Sequence, residues 1–224
     1  MSKSKSDLIT FLSQYVTPQR LATMDQVLEN RTRYITIALE DIYQSHNASA
    51  VLRTCECFGI QDVHIIENRN TYNLNPDVAL GSSNWLNRIH YRDKDFNTLT
   101  AIDQLKRKGY RIVATSLSES AVSLEDFNLE KRKCALFFGT ELTGLTENML
   151  SHADEYLKIP VYGFTDSFNI SVSAAIILHH LIIKLRKSNL AWNLSLDEKA
   201  EIKLQWLRNS IKRSDLLEKE FYKS

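Results

Sequence analysis

Five runs rich in β-branched and aromatic residues punctuate the chain, and each reads as a strand: YITIALE (34–40), VHIIE (63–67), RIVATS (111–116), CALFFG (134–139) and YLKIP (156–160). Between them, apolar residues recur at helical spacing over 47–58, 98–108, 146–152 and 169–187. Strand and helix alternate, which predicts an α/β core with a mostly parallel sheet and helices on both faces. The flanking stretches DLITFLSQYV (7–16), TPQRLATMDQVLEN (17–30) and SLDEKAEIKLQWLRNSIKRSDLLEKEF (195–221) carry the period of amphipathic helices outside the sheet. The expected organisation is a helical extension over 1–33, a core domain over 34–187 and a second helical extension over 188–224. The 169–187 helix places Ile170, Val172, Ile176, Ile177, Leu178, Leu181, Ile182, Ile183 and Leu185 on nearly every side. Such a helix needs cover all round, so a second subunit is expected against one face, giving a homodimer.

Composition narrows the class without naming a reaction. The 224 residues are 43% hydrophobic and 25% charged, ordinary for a soluble globular protein. Neither a signal peptide nor a membrane-spanning run is present, and a cytoplasmic protein with no membrane partner is expected. Three cysteines, two of them at Cys55 and Cys57, suit neither a disulfide framework nor a four-ligand zinc site, so no metal is expected. His46, His179 and His180 lack metal-like spacing with carboxylates. The formal charge of +1 hides an asymmetry: residues 1–33 carry 5 basic and 3 acidic side chains, 34–183 carry 13 and 18, and 184–224 carry 10 and 6. Basic ends on an acidic middle suit either polyanion binding or solvated helix faces.

The usual nucleotide loops are missing. No G-x-G-x-x-G follows a strand, and no G-x-S-x-G elbow occurs. GTELTGLT (139–146) has P-loop spacing, but Leu145 stands where a lysine must reach phosphates and Glu141 would repel them. Polar residues gather instead at three strand-to-helix junctions: HNASAVLRTCECFG (46–59), LFFGTELTGLT (136–146) and IPVYGFTDSFNISVSAAI (159–176). In an open parallel sheet, loops after the strands can converge on one cleft. Asn47, Ser167 and Asn169 also sit where a helix N-cap is wanted.

These three segments, in this order, resemble the motifs of the SpoU family of RNA 2′-O-ribose methyltransferases of the SPOUT superfamily. The resemblance covers roughly residues 34–187. With GSSNWLNRIHY (81–91) and the helical arms, the chain is most similar to the TrmH branch, which methylates guanosine-18 in the D-loop of tRNA. The resemblance implies a C-terminal trefoil knot, a homodimer, tRNA as partner and S-adenosyl-L-methionine (AdoMet) as cofactor. It implies that Arg53 activates the ribose hydroxyl, stabilising a developing alkoxide rather than acting as a base, since a guanidinium stays protonated. Asn47, Glu141, Ser167 and Asn169 would complete the catalytic group. Thr115, Ser116, Leu117, Gly139, Ile159, Tyr162, Ser167 and Phe168 would hold the cofactor, with Gly139 and Gly163 where backbone approaches it. Val161 stands where many relatives have Met and Phe168 where they have Leu, which alters pocket shape more than chemistry. Lys106, Arg107, Lys108, Arg111, Lys203, Arg208, Lys212 and Arg213 are the expected RNA-binding cations, giving affinity that falls with salt. Two alternatives stand beside this reading: an rRNA methyltransferase of the same family, and a non-catalytic RNA-binding protein of the same fold.

Overall fold

The computed structural model describes residues 4–73, 75–93 and 96–223. The chain forms two compact units, a sheet-bearing one over Arg33–Trp192 and a helical one built from both ends, Met1–Thr32 and Asn193–Ser224.

In the first unit seven strands form one sheet: β1 (Ile35–Glu40), β2 (Asp62–Ile66), β3 (Asn87–Tyr91), β4 (Arg111–Thr115), β5 (Val122–Ser123), β6 (Cys134–Phe138) and β7 (Glu155–Lys158). Their order is β3-β2-β1-β6-β4-β7-β5, and every pairing is parallel. The helices of this unit are α3 (Ser45–Cys57), α4 (Pro76–Ala79), α5 (Thr98–Arg107), α6 (Glu147–His152) and α7 (Ile170–Arg186). Ile35, Ile37 and Leu39 of β1 face a core completed by Val51, Leu52 and Cys55 of α3 and Ile177, Leu178 and Leu181 of α7. Ala38, Ile112, Ala114 and Phe137 face the other way, onto Ala101, Ile102 and Leu105 of α5 and Met149 of α6. Both faces are covered, which is why every residue of β1 and β6 is buried, the polar Thr36 and Glu40 of β1 included.

The connections fix where a ligand can sit. From β1 the chain moves outward to β2 and β3; from β6 it moves the opposite way, past β4, to β7. The crevice between the carboxyl ends of β1 and β6 is therefore a topological switch point.

Within one chain Val172 and Ile183 of α7 stay 45% and 41% exposed. One expectation changes. The helical stretch 195–221 is broken: in the second unit α1 (Lys5–Ser13) and α2 (Pro18–Leu28) are joined by separate helices α8 (Leu196–Ser210) and α9 (Ser214–Lys223). The break falls at Ile211–Arg213, where Arg213 takes a left-handed φ of 63° that no helix can carry through. Capping boxes Ser4–Asp7 and Ser195–Glu198 start α1 and α8. Leu8, Leu12, Met24, Leu28, Trp206 and Leu207 are buried in this unit, and the buried Arg31 guanidinium lies 5.3 Å from the Trp206 ring centroid.

His64 of β2 sets a pH limit on the sheet. Its Nδ1 lies 2.9 Å from the Tyr91 hydroxyl. Burial first, then the Lys108 charge, depress its pKa to about 3 from the ordinary 6.5. A depressed folded value means the unfolded chain takes up the proton first, so stability present above pH 6.5 declines as pH falls from there towards 3. A His64→Gln variant should show a flatter fall of thermal midpoint across that window than the parent; parallel curves would remove His64 as the cause.

Candidate active site

Strand β1 ends at Glu40, and the chain turns sharply at the next residue because Asp41 adopts φ 54°. Its carboxylate accepts the backbone N–H groups of Asn68 (2.7 Å) and Arg69 (2.9 Å), which offsets the strain and fixes the start of the loop. Helix α3 follows with Gln44 at its N-cap and no side-chain cap bond. Asn47 is therefore the third residue of the helix and not its cap, a correction to the local reading. Its amide is free for another task. The Asn47 Nδ2 donates to Gln44 Oε1 at 2.8 Å and also to the Glu141 carboxylate.

Glu141 comes from the loop between β6 and α6. Thr140 and Gly144 exchange two backbone hydrogen bonds of 3.0 Å, closing a tight turn with Glu141 at its tip. A Cβ on Gly139 would lie 2.2 Å from the Gly144 carbonyl carbon and oxygen. Gly139 is thus required by the chain's own turn, before any ligand is considered. A Cβ on Gly163 would meet only Thr165 N, at an ordinary 4.0 Å, so no such constraint applies there.

The third loop arrives from β7. Asn169 caps α7, its Oδ1 accepting Ser171 N at 2.9 Å, while its Nδ2 donates to Asn47 Oδ1 at 3.2 Å. One side chain both caps a helix and joins the site. Because β4 lies between β6 and β7, the 159–169 segment must cross the carboxyl end of β4 to bring Asn169 to Asn47. Asn47, Glu141 and Asn169 so form one hydrogen-bonded group at the switch point, built from three segments 94 and 122 residues apart from the first.

The remaining residues divide. Arg53 is exposed on α3, six residues and about 9 Å of helix rise beyond Asn47, and hydrogen-bonds to no described residue. Ser167 is exposed in the loop and does not cap α7. The Thr115 hydroxyl donates to Phe137 O (2.8 Å) and the Ser116 N–H to Leu157 O (3.0 Å), so both secure strand ends. Ile159 packs on the core. Leu117, Tyr162 and Phe168 are exposed, and so are Leu142 and Phe164, which the sequence reading did not single out. These apolar side chains sit on the loops after β4, β6 and β7, adjacent strands of the sheet.

The cations are corrected most. Arg111 is buried, ion-paired with Glu155 and stacked 4.4 Å from the Phe127 ring centroid, so it cannot meet RNA. Lys106 pairs with Asp154 at 3.3 Å, Lys203 with Asp25 at 2.6 Å, and Arg208 bonds both Glu218 oxygens at 2.6 and 2.8 Å. Arg107, Lys108, Lys212 and Arg213 remain exposed without such a partner among the described residues. Helix α5 runs back along the sheet, so Lys106–Lys108 lie at the amino ends of the strands, roughly a strand length (~16 Å) from Glu141. Among the described residues no group of three or more His, Cys, Asp or Glu side chains could hold a metal ion, and no helix is long and apolar enough to cross a membrane.

The switch point of this parallel α/β sheet is closed by an Asn-Glu-Asn group from the loops after β1, β6 and β7, the three segments that carry the sequence motifs of a SpoU-type methylase. The chain belongs to that family: residues 34–179 match the SpoU rRNA Methylase family. Over 210 residues it is 48% identical to the tRNA (guanosine(18)-2′-O)-methyltransferase of Borreliella burgdorferi, covering 94% of each chain. It is 32% identical to the enzyme of that name from Escherichia coli K12, over 73% of this chain and 69% of that one. The crystal structure of the Aquifex aeolicus TrmH/SpoU tRNA modifying enzyme superposes with a TM-score of 0.77 at 27% identity, over 87% of this chain and 98% of the other. The AdoMet-bound rRNA methyltransferase from Sinorhizobium meliloti shares the fold, with a TM-score of 0.59 at 19% identity over 72% and 60%.

Proposed function

We propose that this chain is an AdoMet-dependent tRNA 2′-O-ribose methyltransferase acting on guanosine 18 of the D-loop. The observation that carries the reading is the junction of Asn47, Glu141 and Asn169 at the sheet's switch point. The 48% identical relative of that name, matched along nearly its whole length, supports the choice of tRNA.

AdoMet fits the residues present: Leu117, Tyr162 and Phe168 offer apolar surface for an adenine, and the Glu141 carboxylate suits a neighbouring positive charge. Bound there, AdoMet supplies an electrophilic methyl group. The chain's part is to present the ribose oxygen in line, at about 3–3.5 Å, and to lower the cost of its charge. Arg53, exposed and without a competing partner, would stabilise the developing alkoxide. A guanidinium does not take up the proton, which a neighbouring RNA phosphate could accept. Asn47 holds Glu141 in place, and Asn169 holds Asn47. Ser167 would line the pocket beside Phe168. The crossing of the 159–169 segment over β4 suits a trefoil knot, and the exposed stripe of Val172 and Ile183 on α7 suits a second copy packed there. Arg107, Lys108, Lys212 and Arg213 would neutralise tRNA phosphates.

The test is methyl transfer from labelled AdoMet to unmodified tRNA and to rRNA fragments, with the labelled nucleotide mapped. Label on a D-loop guanosine ribose is expected. Label on rRNA alone would replace the substrate, and no label on either would remove the enzymatic reading.

A further inference from the structure

The chemistry above leaves unused a carboxylate buried at the end of β1. Glu40 is 1% exposed, and no cation pairs with it among the described residues. A buried charge without a counter-ion is costly unless its oxygens are filled by donors. Here they are: Oε1 accepts the hydroxyls of Thr98 (2.5 Å) and Thr146 (2.8 Å), and Oε2 accepts Thr146 N at 2.8 Å. The Thr98 hydroxyl in turn accepts from Asn68 Nδ2 at 2.9 Å, and the Thr146 hydroxyl from Met149 N at 3.2 Å.

Thr146 ends the same loop whose tip is Glu141. The segments after β1 and after β6 are thus joined twice, at the root by Glu40–Thr146 and at the tip by Asn47–Glu141. Between root and tip the path has little freedom, since Thr140 and Gly144 close the turn on itself. We propose that Glu40 and Thr146 are positioning residues for methyl transfer: their clamp sets where Glu141 stands against Asn47. The inference rests on the methyltransferase reading above. An apolar pair at this site would fill the same space at less cost in desolvation, but would not fix the turn's height over the sheet.

Thr146 is exposed, so its substitution should spare the fold. In Thr146→Val the hydroxyl bond to Glu40 and the α6 cap are lost; Thr146→Ser keeps both. With labelled AdoMet and tRNA, Thr146→Val should lower kcat roughly 10- to 100-fold with little change in KM for tRNA, and Thr146→Ser should restore it. In a Glu141→Ala background, Thr146→Val should add no further loss, because the clamp acts through Glu141. Amide exchange over residues 140–145 should quicken in Thr146→Val and in Glu40→Gln. A purely structural role would lower the thermal midpoint and leave kcat intact below it; an intact kcat, or a Thr146→Val loss that adds in full to that of Glu141→Ala, overturns the proposal. If the parent protein transfers no methyl group, the functional reading falls, and unchanged exchange at 140–145 in both variants would separately overturn the clamp.

Discussion

Replacing Asn47 by aspartate is expected to cut methyl transfer about a hundredfold while leaving the fold intact. Asn47 meets three partners with the right polarity: its two amide hydrogens face the Gln44 and Glu141 oxygens, and its carbonyl oxygen accepts from Asn169. Aspartate keeps the shape and the last bond. It turns both donors into acceptors, and Gln44 can rotate its amide to answer but Glu141 cannot. Two carboxylates about 3 Å apart repel by roughly 5 kcal/mol at an effective dielectric near 20. Glu141 is exposed and can swing into solvent, so most of that strain is relieved by breaking the site and not by unfolding. The residual loss of about 3 kcal/mol in placement of the reacting groups gives the hundredfold. Asn47→Ala, which removes the bonds without adding repulsion, should lose less, on the order of tenfold. The comparison of single-turnover rates with thermal midpoints decides it. Aspartate within threefold of the parent rate would mean that Glu141 needs no partner at Asn47.

Much of this arrangement was legible beforehand, for reasons that particular residues make plain. β1 and β6 could be read because central parallel strands are covered on both faces and are therefore mostly apolar and β-branched or aromatic. β3 could not: at the sheet's edge its residues are only partly covered, and NRIHY carries no alternating or continuous pattern. β5 has two residues, too few for any period. That the loops bearing Asn47, Glu141 and Asn169 could converge followed from the rule that loops after parallel strands share one side of the sheet, while the choice of these side chains came from the family resemblance. Arg111 was misread because a cation at the head of a strand looks solvated, and its half-buried partner Glu155 is 44 residues away. The Thr115 hydroxyl and the Ser116 N–H answer carbonyls of the neighbouring β6 and β7, bonds that no local pattern announces. The Glu40–Thr146 contact spans 106 residues and no local signal announces it. Its one trace is the presence of an acid at the end of a mostly apolar strand.

The second large effect is expected at Gly139, and its neighbour five residues on provides the control. An added Cβ at Gly139 meets backbone on every near side: the Gly144 carbonyl carbon and oxygen at 2.2 Å and Leu145 N at 2.3 Å. No side-chain rotation relieves contacts with backbone. Either the Thr140–Gly144 pair opens or β6 shifts, and the second would disturb strands buried on both faces. The turn should therefore open, carrying Glu141 away from Asn47. Gly144 presents the opposite case, since its φ of +69° is one that L side chains rarely adopt but a Cβ there meets nothing within 4 Å. Gly144→Ala should cost only the left-handed penalty of about 1–2 kcal/mol and keep most activity. Gly139→Ala should cost more than this in denaturant midpoint and lower methyl transfer by about two orders of magnitude, because overpacking is borne by the catalytic turn. Equal rates for the two alanine variants would show that the 139–146 turn yields without moving Glu141, and that its tight closure serves stability alone.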